Sequence, residues 1–107
     1  MIKNLLLALN IGVSPYVTVS DNSLQIVEDL RKVYTGGVVI TSNYRGKERN
    51  RRAGGSPESK HLCGKAIDIK KRGLTKQDIR DIQKLDKDKY FILIEQDHIH
   101  IQLEEKC

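Results

Sequence analysis

Tryptophan is absent from this sequence, and four tyrosines and one phenylalanine are its only aromatic residues. Large rings therefore cannot dominate the core, which must be assembled from Ile, Leu and Val. A core this thin gains from an added staple such as a bound metal. Long apolar runs are missing too: none approaches the ~20 residues of a membrane-crossing helix, so no membrane span is expected. Cysteine is scarce. Cys63 and Cys107 are the only two, too few for a framework, and nothing in their spacing argues for a bridge; a disulfide and a pair of free thiols both stay open. Repeats and linker-like stretches are also lacking, and 107 residues leave no room for a second core, so residues 1–107 read as one domain. The opening "MIKNLLLALNIGVSP" carries a lone lysine and a short apolar run broken by Asn10, without a small-residue cleavage site. It is expected to form a short amphipathic helix rather than a cleaved signal peptide.

What is present is polar but patterned. Charged residues make up 31% and apolar ones 38%, yet the apolar residues gather in runs such as "LLLAL", "GVVIT" and "YFILI", which marks a folded domain rather than a disordered chain. The formal net charge of +5 suits a polyanionic partner, either nucleic acid or an anionic bacterial cell wall. Charge alone does not choose between them. The basic stretches "RGKERNRR" and "KKR" have no aromatic residues interleaved to stack bases, which disfavours nucleic acid.

The spacing predicts helices over residues 2–10 and over "VSDNSLQIVEDLRKVYTGG". In the second, Leu24, Ile26, Val27, Leu30 and Val33 form an apolar stripe, Asp21 or Ser20 can cap the start, and Gly36-Gly37 closes the end. "GVVITS" is a β-branched run suited to a buried strand. "RGKERNRRAGG" reads as a basic, partly helical excursion. "KAIDIK" alternates as a strand, with Ala66 and Asp68 on one face and Ile67 and Ile69 on the other. "LTKQDIRDIQKLDKDK" is an amphipathic helix with Thr75 as its cap and an apolar stripe at Ile79, Ile82 and Leu85. "YFILIEQD" and "HIHIQLEE" read as two strands of a hairpin. The sum is an α+β fold: a small, mostly antiparallel sheet packed against two to three helices.

Histidine occurs three times only, at His61, His98 and His100, inside two short stretches, "SPESKHLCGKAID" and "EQDHIHIQL". On a strand His98 and His100 point to the same face, so both imidazoles can approach one locus, while Ile99 points the other way and is expected to be buried. His61 and Asp68 differ in parity, but Gly64 between them can break the strand and let a loop residue and a strand residue converge. Zinc takes nitrogen, sulfur and carboxylate ligands, and catalytic sites use three of them. Spacing alone leaves open whether these residues form a metal site or are polar residues that fell together.

Three motifs in order then resemble one family. "TSNYRGKERNRRAGGSPESKHLCGKAIDI" followed by "DHIH" is similar to the zinc D-Ala-D-Ala carboxypeptidase/peptidoglycan L,D-endopeptidase family, which includes phage endolysins and D-Ala-D-Ala dipeptidases and has the hedgehog signalling domain as a distant relative. Ser59, His61, Gly64, Ala66 and Asp68 match S-x-H-x-x-G-x-A-x-D. Asp97 and His100 match [D/E]-x-x-H, and Ser42, Tyr44 and Arg45 match S-x-Y-R. The likeness runs from about Val38 to Leu103.

That resemblance implies a hedgehog/DD-peptidase-like fold with one zinc ion held by His61, Asp68 and His100. It implies Asp97 as general base, Arg45 as an anchor for substrate or transition state, and Ser59, with Tyr44 beside Arg45, as substrate-binding residues. His98 is in some relatives an oxyanion-stabilising group rather than a ligand. Glu95, on the same strand parity as Asp97, stays open as an alternative base. Cys63 falls in a spacer of the motif that is usually apolar, so it is expected to be a small buried hydrophobe rather than a nucleophile or ligand, and Cys107 an exposed end without a role. The function implied is a metallopeptidase, a hydrolase of peptide bonds in bacterial peptidoglycan stem peptides, of DD-carboxypeptidase or endopeptidase/endolysin type. Phage or prophage origin, synthesis in the host cytoplasm, action on the cell wall and a monomeric state are expectations of the same reading. The rival is a metal-binding but non-catalytic module that binds wall or protein; an acidic residue at the base position favours the enzyme.

Overall fold

The protein is described by a computed structural model covering residues 2–107. Five strands form one sheet in the order β1-β2-β3-β5-β4: β1 Ile11–Val13, β2 Val38–Ser42, β3 Ala66–Lys70, β4 Tyr90–Ile94 and β5 His98–Leu103. β1 runs parallel to β2 and every other pairing is antiparallel. Among the described residues four helices accompany it: α1 Ile2–Ala8, α2 Asn22–Arg31, α3 Lys47–Arg52 and α4 Lys76–Ile82, with a 3-10 turn at Lys60–Cys63. This is the α+β architecture that the resemblance implies.

Strand alternation sorts the sheet into two faces. Ile67 and Ile69 on β3 lie opposite Ile101 and Ile99 on β5, which in turn lie opposite Ile92 and Ile94 on β4. This face packs with Ile26, Val27 and Leu30 of α2, Leu6 of α1 and Ile82 of α4 into a core from which water is excluded. The other face carries Asp68 opposite His100 and, one strand further, Leu93. Period-two geometry alone separates a stabilising face from a chemical one.

Several local expectations are met by different means. Thr75 caps α4 in a full capping box with Asp78, as its sequence predicts. For α2 neither expected cap forms: Asp21 makes no side-chain capping bond, and Ser20 instead donates its hydroxyl to the Gly64 carbonyl at 2.8 Å. Nor does the Gly36-Gly37 pair end α2. The helix stops at Arg31, whose guanidinium donates to the carbonyls of Leu9, Tyr34 and Gly36, gathering the loose ends of α1 and α2. α1 stops at Ala8 rather than residue 10, since Asn10 turns the chain with φ of 60°. β1 was not anticipated: three residues with a central glycine carry no readable alternation.

The cysteines also differ from expectation. Cys63 and Cys107 form a disulfide with Cα atoms 5.7 Å apart. Cys63 is therefore neither a free thiol nor merely a small apolar filler, and Cys107 is not a loose end. Lys65 reinforces the bridge by an ion pair to Glu105 at 3.2 Å and by donating to the Lys106 carbonyl at 2.7 Å. Among the described residues, no helix is long and apolar enough to cross a membrane.

Candidate metal centre

His61 is placed by the 3-10 turn. The Ser59 hydroxyl accepts the His61 backbone N–H at 3.2 Å and starts the turn. Gly64 ends it at φ of 71°, where a side chain would be strained and a Cβ would lie 2.5 Å from Ser20. Asp68 sits mid-strand on β3, cross-strand from His100 on β5. Loop and sheet thus bring together three residues distant in sequence.

The hydrogen bonds around the rings fix where the lone pairs point. Nδ1 of His61, a buried residue, faces the Asn43 carbonyl oxygen at 2.7 Å. That oxygen only accepts, so Nδ1 donates and Nε2 is left with its lone pair. Nε2 lies 3.3 Å from Asp68 Oδ1, yet it is buried without a hydrogen-bond partner. On His100, Nε2 faces Gln102 Oε1 at 2.8 Å and Nδ1 faces Asp68 Oδ1 at 2.9 Å. The rings meet edge to face with centroids 5.1 Å apart, and one ligand atom from each of the three residues lies within 4.8 Å of the others.

Acceptors converging in this way repel one another unless a cation stands between them. The orphaned Nε2 of His61 supplies the test of fit, and two imidazoles with one carboxylate are a donor set that divalent zinc accepts. Burial pushes the Asp68 carboxyl up, but the hydrogen bond from His100 and the neighbouring imidazole of His61 outweigh it and hold the carboxyl well below its ordinary range. Burial likewise pushes the His100 imidazole down, and its bonds to Asp68 and Gln102 overcome that and raise it. Without an ion, a proton on His100 takes the cation's place.

A cleft of about 480 Å³ opens over the three residues, lined also by Arg45, Ser59, Glu95, His98 and the apolar side chains of Phe91 and Leu93. Arg45 brings Nη2 to 3.8 Å from Asp68 Oδ2 and donates through Nη1 to Asn50 Oδ1 at 3.3 Å. Its Nε is buried without a partner. Asp97 lies elsewhere: its carboxylate is largely exposed, stands 2.6 Å from His98 Nδ1, and lines a neighbouring hollow with Lys70, Lys71 and Arg72. The His98 bond holds that carboxyl below its ordinary value. Tyr44 is exposed and outside the cleft lining.

Sequence reasoning missed Asn43 and Gln102. Gln102 had a readable signal, being two residues past His100 on the same strand face; Asn43 acts through its backbone and had none.

The family model for peptidase M15 matches residues 7–102, starting well upstream of Val38, within α1. No curated protein and no solved structure matches the chain. With the match spanning almost the whole chain and a His/Asp/His cluster able to hold a divalent cation standing at the motif positions, the protein belongs to the peptidase M15 family.

Proposed function

We propose that this protein is a zinc metallopeptidase that hydrolyses peptide bonds in bacterial peptidoglycan stem peptides, as a DD-carboxypeptidase or an endolysin-type endopeptidase. The observation that carries the reading is the convergence of His61, Asp68 and His100 within 4.8 Å at the floor of an open cleft. Zinc, when bound, supplies an acidified water and a Lewis acid for the scissile carbonyl. A carboxylate and two neutral imidazoles would hold the ion and leave it one net positive charge.

The remaining work falls to side chains. Arg45, held against Asp68, offers a planar fork to the developing oxyanion or to a substrate carboxylate. Ser59 and the Phe91–Leu93 shelf flank the place where an extended peptide lies. Asp97 takes the proton from the attacking water and passes it to the leaving amine, and its bond to His98 ties it to a ring that faces the cleft. A second reading has a specific observation behind it: Glu95 lines the cleft and Asp97 does not, so Glu95 is the competing base. The net charge of +5 supports an anionic wall as the site of action, and a phage or prophage source made in the host cytoplasm belongs to the same proposal.

Digestion of purified peptidoglycan with the zinc-loaded protein, read by mass spectrometry of the muropeptides, tests the function and names the bond. Products shortened at a stem-peptide bond, lost on chelation and restored by zinc, support it; unchanged muropeptides reject it. Replacing the true base by its amide, Asp97→Asn or Glu95→Gln, lowers kcat by about 10²–10⁴-fold while zinc stays bound, and the variant that does so identifies the base.

A further inference from the structure

His100 differs from His61 in what holds its far nitrogen. For His61 the holder is a backbone carbonyl, that of Asn43, which substitution cannot remove. For His100 it is a side chain, Gln102, two residues along β5 on the same sheet face, with Oε1 2.8 Å from Nε2. An amide oxygen has no proton to give, so this contact requires Nε2 to be the donor. Once a cation displaces the proton from Nδ1, the ring is left in the Nε2–H tautomer with its Nδ1 lone pair directed at Asp68 Oδ1, 2.9 Å away.

The surroundings of Gln102 are suited to this task. Its cross-strand neighbour on β3 is Ala66, fully buried, and on β4 it is Phe91. Directly opposed Cβ atoms in antiparallel pairs lie about 4.5–5.5 Å apart. The alanine therefore leaves space beside the Gln102 stem, and the phenylalanine flanks it on the other side and shares the cleft wall with it.

We infer that Gln102 is a positioning residue of the metal centre. It fixes the tautomer and tilt of His100, so that the ion is held by Nε2 of His61 and by Nδ1 of His100. The inference rests on the metal-centre reading alone and stands whether or not the protein cleaves a wall peptide. It also assigns a purpose to the motif alanine: a larger residue at position 66 would press on the amide and loosen the ion without touching a ligand.

Zinc affinity, measured by competition with a chromophoric chelator, tests the assignment. Gln102→Leu removes the acceptor at nearly constant volume and is expected to weaken zinc binding by about 10–100-fold. Gln102→Glu keeps an acceptor at that position and is expected to bind zinc at least as tightly as the wild type. A leucine variant that binds zinc within twofold of the wild type overturns the role of Gln102 while leaving the metal centre standing. Wild-type protein that takes up no zinc overturns both. A second readout needs no variant: nitrogen-15 NMR of the zinc-loaded wild type is expected to show His100 protonated at Nε2 and metallated at Nδ1. The reverse assignment overturns the inference.

Discussion

The two faces of the β3–β5–β4 sheet are made by the same strands and serve opposite ends. On one face Ile67, Ile69, Ile99, Ile101 and Leu103 are buried against the helices, each such side chain contributing about 1.5–3 kcal/mol. On the other, Asp68, His98, His100 and Gln102 face the cleft, where burial costs stability unless every polar atom finds a partner. A shift of register by one residue would exchange the two sets. The isoleucines therefore also hold the cluster in place: with Ile69 and Ile99 opposed across β3 and β5, Asp68 and His100 must be opposed as well. The site draws its precision from the core face.

That contrast can be broken from either side. The largest effect is expected from His100→Ala, which removes one member of the cluster: zinc uptake and any peptidase activity are expected to disappear. Circular dichroism of the metal-free variant should still match that of metal-free wild type. Ile101→Ala, one residue along and on the other face, is expected to cost about 2–5 kcal/mol in denaturant unfolding of the chelated protein. A smaller loss than that of His100→Ala in the same assay would reverse the roles given to the two faces.

Next in size is the staple. The Cys63–Cys107 disulfide closes the chain end onto the turn that carries His61. Reducing it, or replacing both cysteines by serine, is expected to remove about 2–4 kcal/mol, read as a lower unfolding midpoint. An unchanged midpoint would mean that the ion pair between Lys65 and Glu105 and its neighbours hold the tail unaided.

The smallest effect is a pH dependence of the metal-free protein. The folded-state value of Asp68 is depressed, so its contribution is complete above the unfolded value of about 3.9 and is lost as pH falls through the folded value. That of His100 is raised, so its contribution is complete below about 6.5 and is lost as pH rises through the folded value. Chelated protein should therefore be most stable between about pH 4 and 6.5. Zinc-loaded protein should hold its stability above that window, because the ion replaces the His100 proton. Asp68→Asn is expected to flatten both limbs of the chelated profile, and a profile identical to wild type would remove the pair from the account.

The sheet face with the isoleucines was legible in part because alternation is local: "KAIDIK" reveals both sides within six residues, whereas in "HIHIQLEE" only Ile99 was expected to be buried, and Ile101 and Leu103 join it on the core face. The convergence of His61, Asp68 and His100 was legible through resemblance, since His61, Gly64 and Asp68 match one short motif, while spacing alone left open whether they form a metal site. What stayed hidden depends on contacts distant in sequence. Ser20 reads as a helix cap until Gly64, 44 residues away, is found within reach of its hydroxyl. Cys63 and Cys107, equally far apart in sequence, meet only because β5 pairs with β3 and delivers the chain end to the turn. Three-residue β1 shows no period, and its place follows from pairing with Val38, Val39 and Ile40. The proposed base shows where local spacing runs out: Asp97 fits the pattern, while Glu95, just past the end of β4, lines the cleft.

Zinc titration of the metal-free protein, wild type beside single alanine variants of His61, Asp68 and His100, is the most direct test of the centre on which all else depends. One ion per chain, with affinity lost in each variant, is the predicted outcome. No uptake by the wild type, or uptake undiminished in the variants, would contradict it.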